Sequence, residues 1–384
     1  MEYQRLGDYI REVNVRNSEL KVTNLLGLSI EKKFIPSIAN TIGTDMSVYK
    51  IVRPMQFAYV PVTSRNGDKI TIALYKGDES AIISQAYTIF DVSDKEALLP
   101  EYLMMWFRRP EFDRYARFHS HGSAREVFDW DELCNVMLPI PSIARQREIV
   151  EEYETLSHRI RLNEQMIARL EETAQALYRK MFVDGIDKEN LPEGWRRGKI
   201  SDFGEVVTGK TPSTLDEGNF GDYMPFVTIP DMHNGFYVIK TERRLSKKGV
   251  ALQANKSIPK HSVCVSCIGT SGLVVITPQE CQTNQQINTI VPRNEFALEY
   301  IYLTCCGLEK IIAEYGMGAA VLNNLNKSEF ENLQILLPSD DAMKRFHEQS
   351  APIFNAIQLG QQENEKLTGL QSLLLARMGK EKNE

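Results

Sequence analysis

A stretch in the second half of the chain has the spacing of a phosphate-binding loop. Gly204 is followed by Gly209, Lys210 and Thr211 in the pattern GxxxxGK[ST]. That motif works when a buried strand precedes it and a helix follows, so that backbone N–H groups point at phosphates. Here the preceding residues are polar, and residues 212–219 (PSTLDEGN) have no helical pattern. The sequence therefore argues against nucleotide hydrolysis and favours a loop that places Lys210 and Thr211 near a DNA backbone.

Metal and catalytic chemistry find no support in the remaining motifs. Cys264 and Cys267 have the spacing of half a zinc site, but they alternate within an apolar strand pattern instead of a tight turn. The six histidines show no paired ligand spacing. The sequence also contains no GxSxG elbow, no Gly-rich cofactor fingerprint and no Asn/Asp-Pro-Pro-aromatic tetrad typical of amino-methyltransferases. We therefore predict no metal, no cofactor and no catalytic residue in this chain.

Several polar segments have side chains suited to DNA contact. Residues 283–286 place three amides, Asn284, Gln285 and Gln286, in a row, and amides can pair bidentately with adenine. Amides that cap a strand end are an equally good interpretation. Two loops of the first half supply the other candidates, although the first loop fits an ordinary solvated hairpin equally well. These candidates are Ser64, Arg65, Asn66 and Lys69 in residues 64–69, and His121, Ser123 and Arg125 in residues 119–125.

The charge of the chain is unevenly distributed. The net charge is −6, which is unusual for a DNA-binding protein. Residues 240–260, however, hold seven basic side chains, including Arg243, Arg244 and Lys247, against Glu242 alone. Residues 104–125 hold five arginines against two acids. Two basic islands on an acidic chain suit a protein that touches phosphates locally and other proteins elsewhere.

Length and composition indicate a multidomain globular protein. The 384 residues exceed one ordinary core, and 42% of them are hydrophobic. No apolar run is long enough for a membrane span, and the polar start does not resemble a signal peptide. The six cysteines form no regular framework, so we expect reduced thiols and a cytoplasmic location.

An internal repeat organises the chain. The segment from Phe128 to Pro141 has a counterpart from Leu325 to Pro338, an offset of 197 residues. After each proline, apolar residues recur with heptad spacing for about five repeats. The chain is therefore a tandem duplication of a globular part followed by a long helix.

The two heptad stripes are natural partners for each other, although each helix could instead pack only on its own domain. If they pair antiparallel, Asn163 and Gly360 should face each other near the midpoint. We expect the contacts between the helices to involve Ile160, Asn163, Ile167, Leu170, Ile357, Gly360 and Leu367.

The predicted fold class is α+β. Short β-rich runs lie at residues 49–52, 56–60, 70–74 and 262–268, and helical stretches lie near residues 100–118 and 297–315. We predict two α/β domains joined by two long antiparallel coiled-coil helices in a pseudo-twofold repeat. The predicted boundaries are residues 1–145 and 198–340 for the globular domains, 146–182 and 341–384 for the helices, and 183–197 for the linker.

Across essentially its full length the chain resembles the specificity subunits of type I restriction–modification systems. The short strings that carry the resemblance lie at residues 26–30, 34–37, 49–52, 56–59 and 122–125 in the first half, and 209–213, 267–269, 284–288 and 335–338 in the second. Family members usually show Pro-x-x-x-x-Gln before the helix. Pro141 and Gln146 keep this signature, whereas Pro338 is followed at that spacing by Met343.

The resemblance implies a non-catalytic subunit. Each globular domain would be a target-recognition domain for one half of a bipartite DNA sequence, and the paired helices would set the spacing of the halves. The helices would also dock two methyltransferase subunits that bind S-adenosylmethionine, and restriction subunits that use ATP and Mg²⁺ would join the complex. Target adenines would be flipped into the partner's pocket. Phage anti-restriction proteins that mimic DNA are a further class of partner.

Two other classes of function remain open. One is a single-chain DNA-modifying enzyme, which the absence of catalytic motifs disfavours. The other is a coiled-coil scaffold with two protein-binding heads and no DNA binding. Salt-dependent binding to duplex DNA distinguishes the DNA-recognition subunit from the scaffold.

Overall fold

The computed structural model describes residues 3–37, 43–64, 67–122, 126–233, 235–308 and 325–379. The chain divides into two compact units, which are Met1–His158 with Leu367–Glu384 (unit 1) and Arg159–Lys366 (unit 2). Each unit takes one globular part together with segments of both long helices. This division cuts both long helices, whereas the predicted boundaries follow the sequence repeat and keep each helix whole.

Unit 1 is built on a four-stranded antiparallel sheet. Its elements are β1 (Tyr3–Arg5), β2 (Ile10–Val13), β3 (Leu26–Leu28), β4 (Phe34–Pro36), β5 (Lys50–Val52), β6 (Phe57–Tyr59), β7 (Ile72–Leu74), β8 (Ala81–Ile83), β9 (Thr88–Val92), α1 (Pro100–Phe107), α2 (Pro110–Phe118), α3 (Trp130–Cys134) and β10 (Met137–Pro139). The sheet has the order β2-β9-β6-β7, and β1-β10, β3-β4 and β5-β8 form separate pairs. Stacked rings of Phe57 and Phe90, 4.8 Å apart, lie at its core.

The long helix α4 (Ile143–Phe182) leads towards the second globular part. The further elements are β11 (Arg196–Lys199), β12 (Gly204–Thr208), β13 (Phe220–Val227), β14 (Arg243–Leu245), α5 (Lys247–Ala251), β15 (Val263–Ser266), β16 (Val274–Ile276), β17 (Gln282–Thr283), β18 (Ile287–Pro292), α6 (Leu298–Gly307), α7 (Lys327–Glu331), β19 (Gln334–Leu337) and α8 (Asp340–Arg377). Unit 2 contains an antiparallel sheet, β12-β18-β15-β16, and a second sheet, β14-β13-β17, in which β13 and β17 are parallel.

The same strand pairing precedes each long helix. The strand before it, β10 or β19, pairs antiparallel with the first strand of its own globular part, β1 or β11. In unit 1 the fully buried Gln146 accepts a hydrogen bond from the Leu99 N–H (2.8 Å) and donates to the Ala97 and Pro141 carbonyls (both 2.9 Å). In unit 2 Met343 occupies the equivalent position within the hydrophobic core. The glutamine of the signature thus fastens the first turn of α4 to the loop before α1, and apolar packing does this in the second copy.

Segments of α4 and α8 pair within both units. In unit 1 Ser157 accepts a hydrogen bond from Gln371. In unit 2 Arg159 bonds to Glu363, whereas Phe182, at the other end of this segment, packs on Phe346. Residue numbers rise along one helix as they fall along the other, so the pairing is antiparallel. The predicted fold class is confirmed: two α+β globular parts and two long antiparallel helices.

The register of the helices differs from the one expected. Asn163 does not face Gly360. It donates hydrogen bonds of 2.9 Å to Glu363 and to Asn364, and Gly360 lies against Ile167. The midpoint of the pairing therefore lies a fraction of a turn away from Asn163, because heptad spacing specifies the contacting face but not the position along the partner helix.

In the described part of the chain, no helix combines the length and apolar character that crossing a membrane requires.

Candidate nucleic-acid interface

Two segments of unit 2 meet just beyond the end of β17, and we call them the amide cluster: residues 209–211 and residues 283–286. The N–H of Lys210 donates to the Thr283 carbonyl (2.9 Å), and the N–H of Gly209 donates to the Ile287 carbonyl (3.2 Å). The hydroxyl of Thr211 donates to Oε1 of Gln285 (2.7 Å). Two stretches that lie up to 74 residues apart in the sequence therefore form one surface.

Gly209 allows this close approach. A Cβ at Gly209 would lie 2.2 Å from the Asn284 carbonyl oxygen and 2.3 Å from that of Thr283. These are backbone atoms, which cannot move aside without displacing the strand. The glycine of the GxxxxGK[ST] match thus serves backbone packing. Because β12 pairs antiparallel with β18 and a 3-10 turn at Glu217–Asn219 follows, the segment lacks the strand–loop–helix arrangement of a phosphate-binding loop.

The three amides of the cluster have different environments. Asn284 is buried, and its side chain both donates to Oε1 of Gln286 (2.9 Å) and accepts from the Gln286 N–H (3.0 Å). Gln286 also directs its Nε2 towards the Ile268 carbonyl (3.5 Å). Gln285 is exposed. One amide therefore faces solvent, and the other two hold the turn.

Gln253 is a member of this site that the sequence did not indicate. This buried side chain donates to the Lys210 carbonyl (2.7 Å) and to Oε1 of Gln282 (2.8 Å), and so connects the chain just after α5 to the first segment of the cluster and to β17, which leads into the second. No motif marks Gln253, because its partners lie 43 and 29 residues away and single glutamines are common.

The basic island at residues 240–260 is only partly available to an anion. Lys240 pairs with Glu365 (2.7 Å), and Lys248 pairs with Asp216 (2.6 Å), which lowers the pKa of that carboxyl. Arg244 donates to the carbonyls of Asp222 and Tyr223. These contacts occupy three of the seven cations within unit 2.

Two further cations of the island lie on aromatic rings. The Arg243 guanidinium lies 3.8 Å from the Phe220 ring centre, and the Lys247 ammonium lies 5.5 Å from that of Tyr223. Both side chains are exposed, and no acid in the described residues pairs with either. Lys210 is exposed in the same way. Lys210, Arg243 and Lys247 are therefore the predicted contacts in unit 2 whose charge remains free for phosphate.

Two arginines of the basic island at residues 104–125 have structural contacts, which reduces the phosphate-binding surface expected there. Arg109 is buried over the Trp106 ring, and Arg108 lies over the ring of Tyr153. Arg114 pairs with Glu111. The local count of charges could not reveal these contacts, because an arginine whose guanidinium packs on an aromatic ring looks the same in the sequence as a solvated one.

The predicted contacts of unit 1 are partly visible. Ser64 is exposed, Lys69 pairs with Glu31 (3.0 Å), and His121 is 72% exposed with its Nε2 3.8 Å from a carboxylate oxygen of Glu132. The remaining four, Arg65, Asn66, Ser123 and Arg125, lie outside the described residues.

Four cysteines of unit 2, Cys264, Cys267, Cys281 and Cys305, are buried thiols, and Cys306 is half-buried. Cys264 lies in β15 and Cys267 directly follows it, and burial raises the pKa of Cys264 to about 12 and that of Cys267 to about 11. Metal coordination needs the thiolate, which burial disfavours here. The described residues contain no group of three or more His, Cys, Asp or Glu side chains that could hold a metal ion.

Comparison with known proteins finds one family that the chain resembles. The sequence profile of the type I restriction modification DNA specificity domain matches residues 192–368. The specificity subunit of the type I restriction enzyme HindI from Haemophilus influenzae is 26% identical over 449 aligned positions, which cover 97% of each chain. The chain is similar to the specificity subunits of type I restriction–modification systems over nearly its whole length.

Two further relatives agree with this family. The specificity subunit of the type I restriction enzyme MjaIX from Methanocaldococcus jannaschii is 28% identical over 164 residues, 41% of this chain and 38% of that protein. The crystal structure of the type I restriction-modification S subunit from M. genitalium superposes with a TM-score of 0.60 at 11% identity, over 99% of this chain and 96% of that one. The latter likeness concerns the fold.

The profile match includes the whole amide cluster, Arg243, Lys247 and most of α8. Of the predicted helix–helix residues in unit 2, Ile357 and Asn163 are buried, and Ile160, Ile167 and Leu170 are half-buried. Gly360 approaches Ile167, and Leu367 is a half-buried residue of unit 1.

Proposed function

We propose that this chain is the subunit that binds a split DNA sequence and directs the other subunits of a type I restriction–modification complex to it. Each of the two globular parts would bind one half of the DNA sequence. The observation that carries the proposal is that a DNA specificity domain matches residues 192–368, which include the exposed cations Lys210, Arg243 and Lys247 and the exposed amide of Gln285. The subunit has a recognition role, and catalysis would belong to its partners.

The side chains of unit 2 divide between two kinds of contact. Lys210, Arg243 and Lys247 carry free charge, which suits phosphate oxygens and fixes the position of the protein on the duplex. Amides suit the edges of bases in the major groove. This combination favours DNA recognition over a scaffold without DNA binding, because it supplies both phosphate and base contacts on one domain.

The partners would supply what this chain lacks. Two methyltransferase subunits would bind S-adenosylmethionine, and restriction subunits would use ATP and Mg²⁺. Antiparallel pairing of α4 and α8 would fix the distance between the two half-sequences. The complex would act in the cytoplasm, where the host DNA lies. Phage proteins that mimic DNA would compete for the same cations.

Salt-dependent DNA binding tests the proposal. The subunit, assembled with its methyltransferase partners, should lose affinity for its target duplex linearly in log–log form as salt rises, with a slope of about 0.9 per neutralised phosphate. Lys210→Ala and Arg243→Ala should each reduce that slope by about one contact. Lys240→Ala is the matched control, because Lys240 already pairs with Glu365, and it should leave the slope unchanged. Salt-insensitive binding, or none, would favour the scaffold.

A further inference from the structure

The amide cluster contains one amide side chain that faces solvent. Asn284 is 7% exposed, and both polar atoms of its amide are bonded to Gln286. Gln286 is in turn bonded to Asn284 and directed at a carbonyl of the loop after β15. The polar atoms of both side chains are therefore engaged in holding the turn. Gln285 stands between them in sequence, and its side chain is exposed.

Thr211 orients the amide of Gln285. Its hydroxyl donates a hydrogen bond of 2.7 Å to Oε1, so the amide plane is held from one side. An amide oxygen has two lone pairs, and an amide nitrogen has two hydrogens. After the bond to Thr211, Gln285 still offers one acceptor direction and two donors, side by side at the surface.

This remaining pattern is complementary to adenine. In the major groove adenine presents an N6–H donor beside the N7 acceptor, and an amide can pair with both. Guanine presents two acceptors, N7 and O6, so the guanine O6 would oppose the Oε1 that Thr211 has fixed. We propose that Gln285 recognises an adenine of the half-sequence bound by unit 2, with Thr211 as its positioning residue.

The surroundings of Gln285 provide the backbone contacts that such recognition needs. Strand register aligns Arg243 with Phe226 and Phe226 with Gln282, across the sheet β14-β13-β17. With strands about 4.8 Å apart, Arg243 and Gln282 lie at the same sheet end, about 10 Å from each other. Lys210 is bonded through its backbone to Thr283. Lys210 thus lies beside the turn that carries Gln285, and the backbone of Arg243 lies at the same sheet end, which suits phosphate contacts that position a base-reading side chain.

This inference rests on the proposed function. Measuring the base preference at each position of the target tests the role of Gln285 separately from that function. The assembled complex with its methyltransferase partners would select bound duplexes from a library randomised across the target. For Gln285→Ala we expect one adenine position in one half-sequence to lose its preference by roughly 5- to 150-fold, the range of a bidentate base pair contact. The other half-sequence should not change. Gln285→Glu, an acceptor only, should shift that position towards cytosine.

The matched controls separate orientation from mere presence of a side chain. Gln279 is an exposed glutamine at the opposite end of β17, and Gln279→Ala should leave every position unchanged. Thr211→Val should relax the same adenine position as Gln285→Ala, and Thr211→Ser should restore it. If the wild type selects a target and Gln285→Ala selects the same one, the inference is overturned while the proposed function stands. If the wild type selects no sequence, the proposed function itself fails.

Discussion

The side-chain amide of Asn163 donates a hydrogen bond of 2.9 Å to the carboxylate of Glu363, and the repeat provides no polar equivalent of this pair. The residues at the corresponding positions, 197 away in each direction, are Gly360 and Met166. Arg159 adds a bidentate contact to Glu363, at 2.9 and 3.1 Å, and lowers the pKa of that carboxyl. The two halves of the duplication have therefore diverged at the centre of the helix pair, where a one-sided polar contact favours a single register.

Replacing Asn163 should weaken the helix pair. Asn163→Ala removes two hydrogen bonds from a side chain that is 2% exposed, and we expect a loss of about 1–3 kcal/mol in the free energy of unfolding. Gln165→Ala, an exposed position of the same helix, is the control and should change it by less than about 0.5 kcal/mol. Urea unfolding of the full chain measures both. Equal effects of the two variants would mean that the buried contact contributes nothing specific.

Gly209 should be needed for DNA binding. An alanine there would place its Cβ 2.2 Å from a backbone oxygen of Asn284 and would push residues 209–211 away from residues 283–286. We expect Gly209→Ala to weaken DNA binding by about tenfold or more, which corresponds to at least about 1.4 kcal/mol. Gly307→Ala, in the same unit with no atom near the added Cβ, is the control. Titration of target DNA with the assembled complex gives the affinities, and unchanged affinity of Gly209→Ala would refute the close approach.

A buried lysine should stabilise unit 1. Lys32 is 6% exposed, pairs with Asp113 (2.7 Å) and donates to the Phe107 carbonyl, and so fastens the β3–β4 hairpin to α2. Removing one partner leaves the other charge buried, so Lys32→Met should cost about 3–5 kcal/mol. Its neighbour Lys33 is exposed, and Lys33→Met should have little effect. Thermal unfolding compares the two variants, and an equal Tm for both would show that the pair is not structural.

Unit 2 should show a pH dependence that arises from Glu299. Burial raises the pKa of this carboxyl, although His347 donates to it or accepts from it at 2.7 Å. The folded protein therefore binds this proton more tightly than the unfolded chain, whose glutamates titrate near about 4.3. The contribution of Glu299 to stability is greatest below that pH and falls as the pH rises through the folded pKa.

Glu299→Gln keeps the size of the side chain and cannot titrate. The free energy of unfolding of the wild type, minus that of Glu299→Gln, should decrease as the pH rises from 4 and then level off. Urea unfolding at intervals between pH 4 and pH 8 measures this difference. A difference that rises with pH would mean that hydrogen bonding, and not burial, dominates the pKa of Glu299.

Much of the fold could be predicted from the sequence because it follows from periodicity. The heptads indicated both long helices, and the β-rich runs at residues 49–52, 56–60, 70–74 and 262–268 contain the shorter strands β5, β6, β7 and β15. The repeat offset of 197 residues indicated that the same kind of segment precedes each long helix. Patterns of this kind report which face of an element is buried, and burial decides the class of fold.

The site could be predicted only in part. Residues 209–211 and 283–286 both contain predicted DNA contacts, but nothing in the sequence indicated that the two segments touch. Contacts between segments far apart in the sequence produce no periodic pattern. For the same reason the sequence could not separate Gln285, which is exposed, from Asn284, which is buried. Counting charges failed for Arg108 and Arg109, whose guanidinium groups lie over aromatic rings.

The most direct measurement of split recognition is a map of methylated adenines in DNA from cells that express this subunit with its methyltransferase partners. We predict a target of two short half-sequences separated by a fixed spacer. A four-residue insertion into residues 147–181 of α4 should change the spacer and leave both half-sequences intact. A contiguous target, or an insertion that alters the half-sequences and not the spacer, would contradict the division of this chain into two recognition parts and a helical spacer.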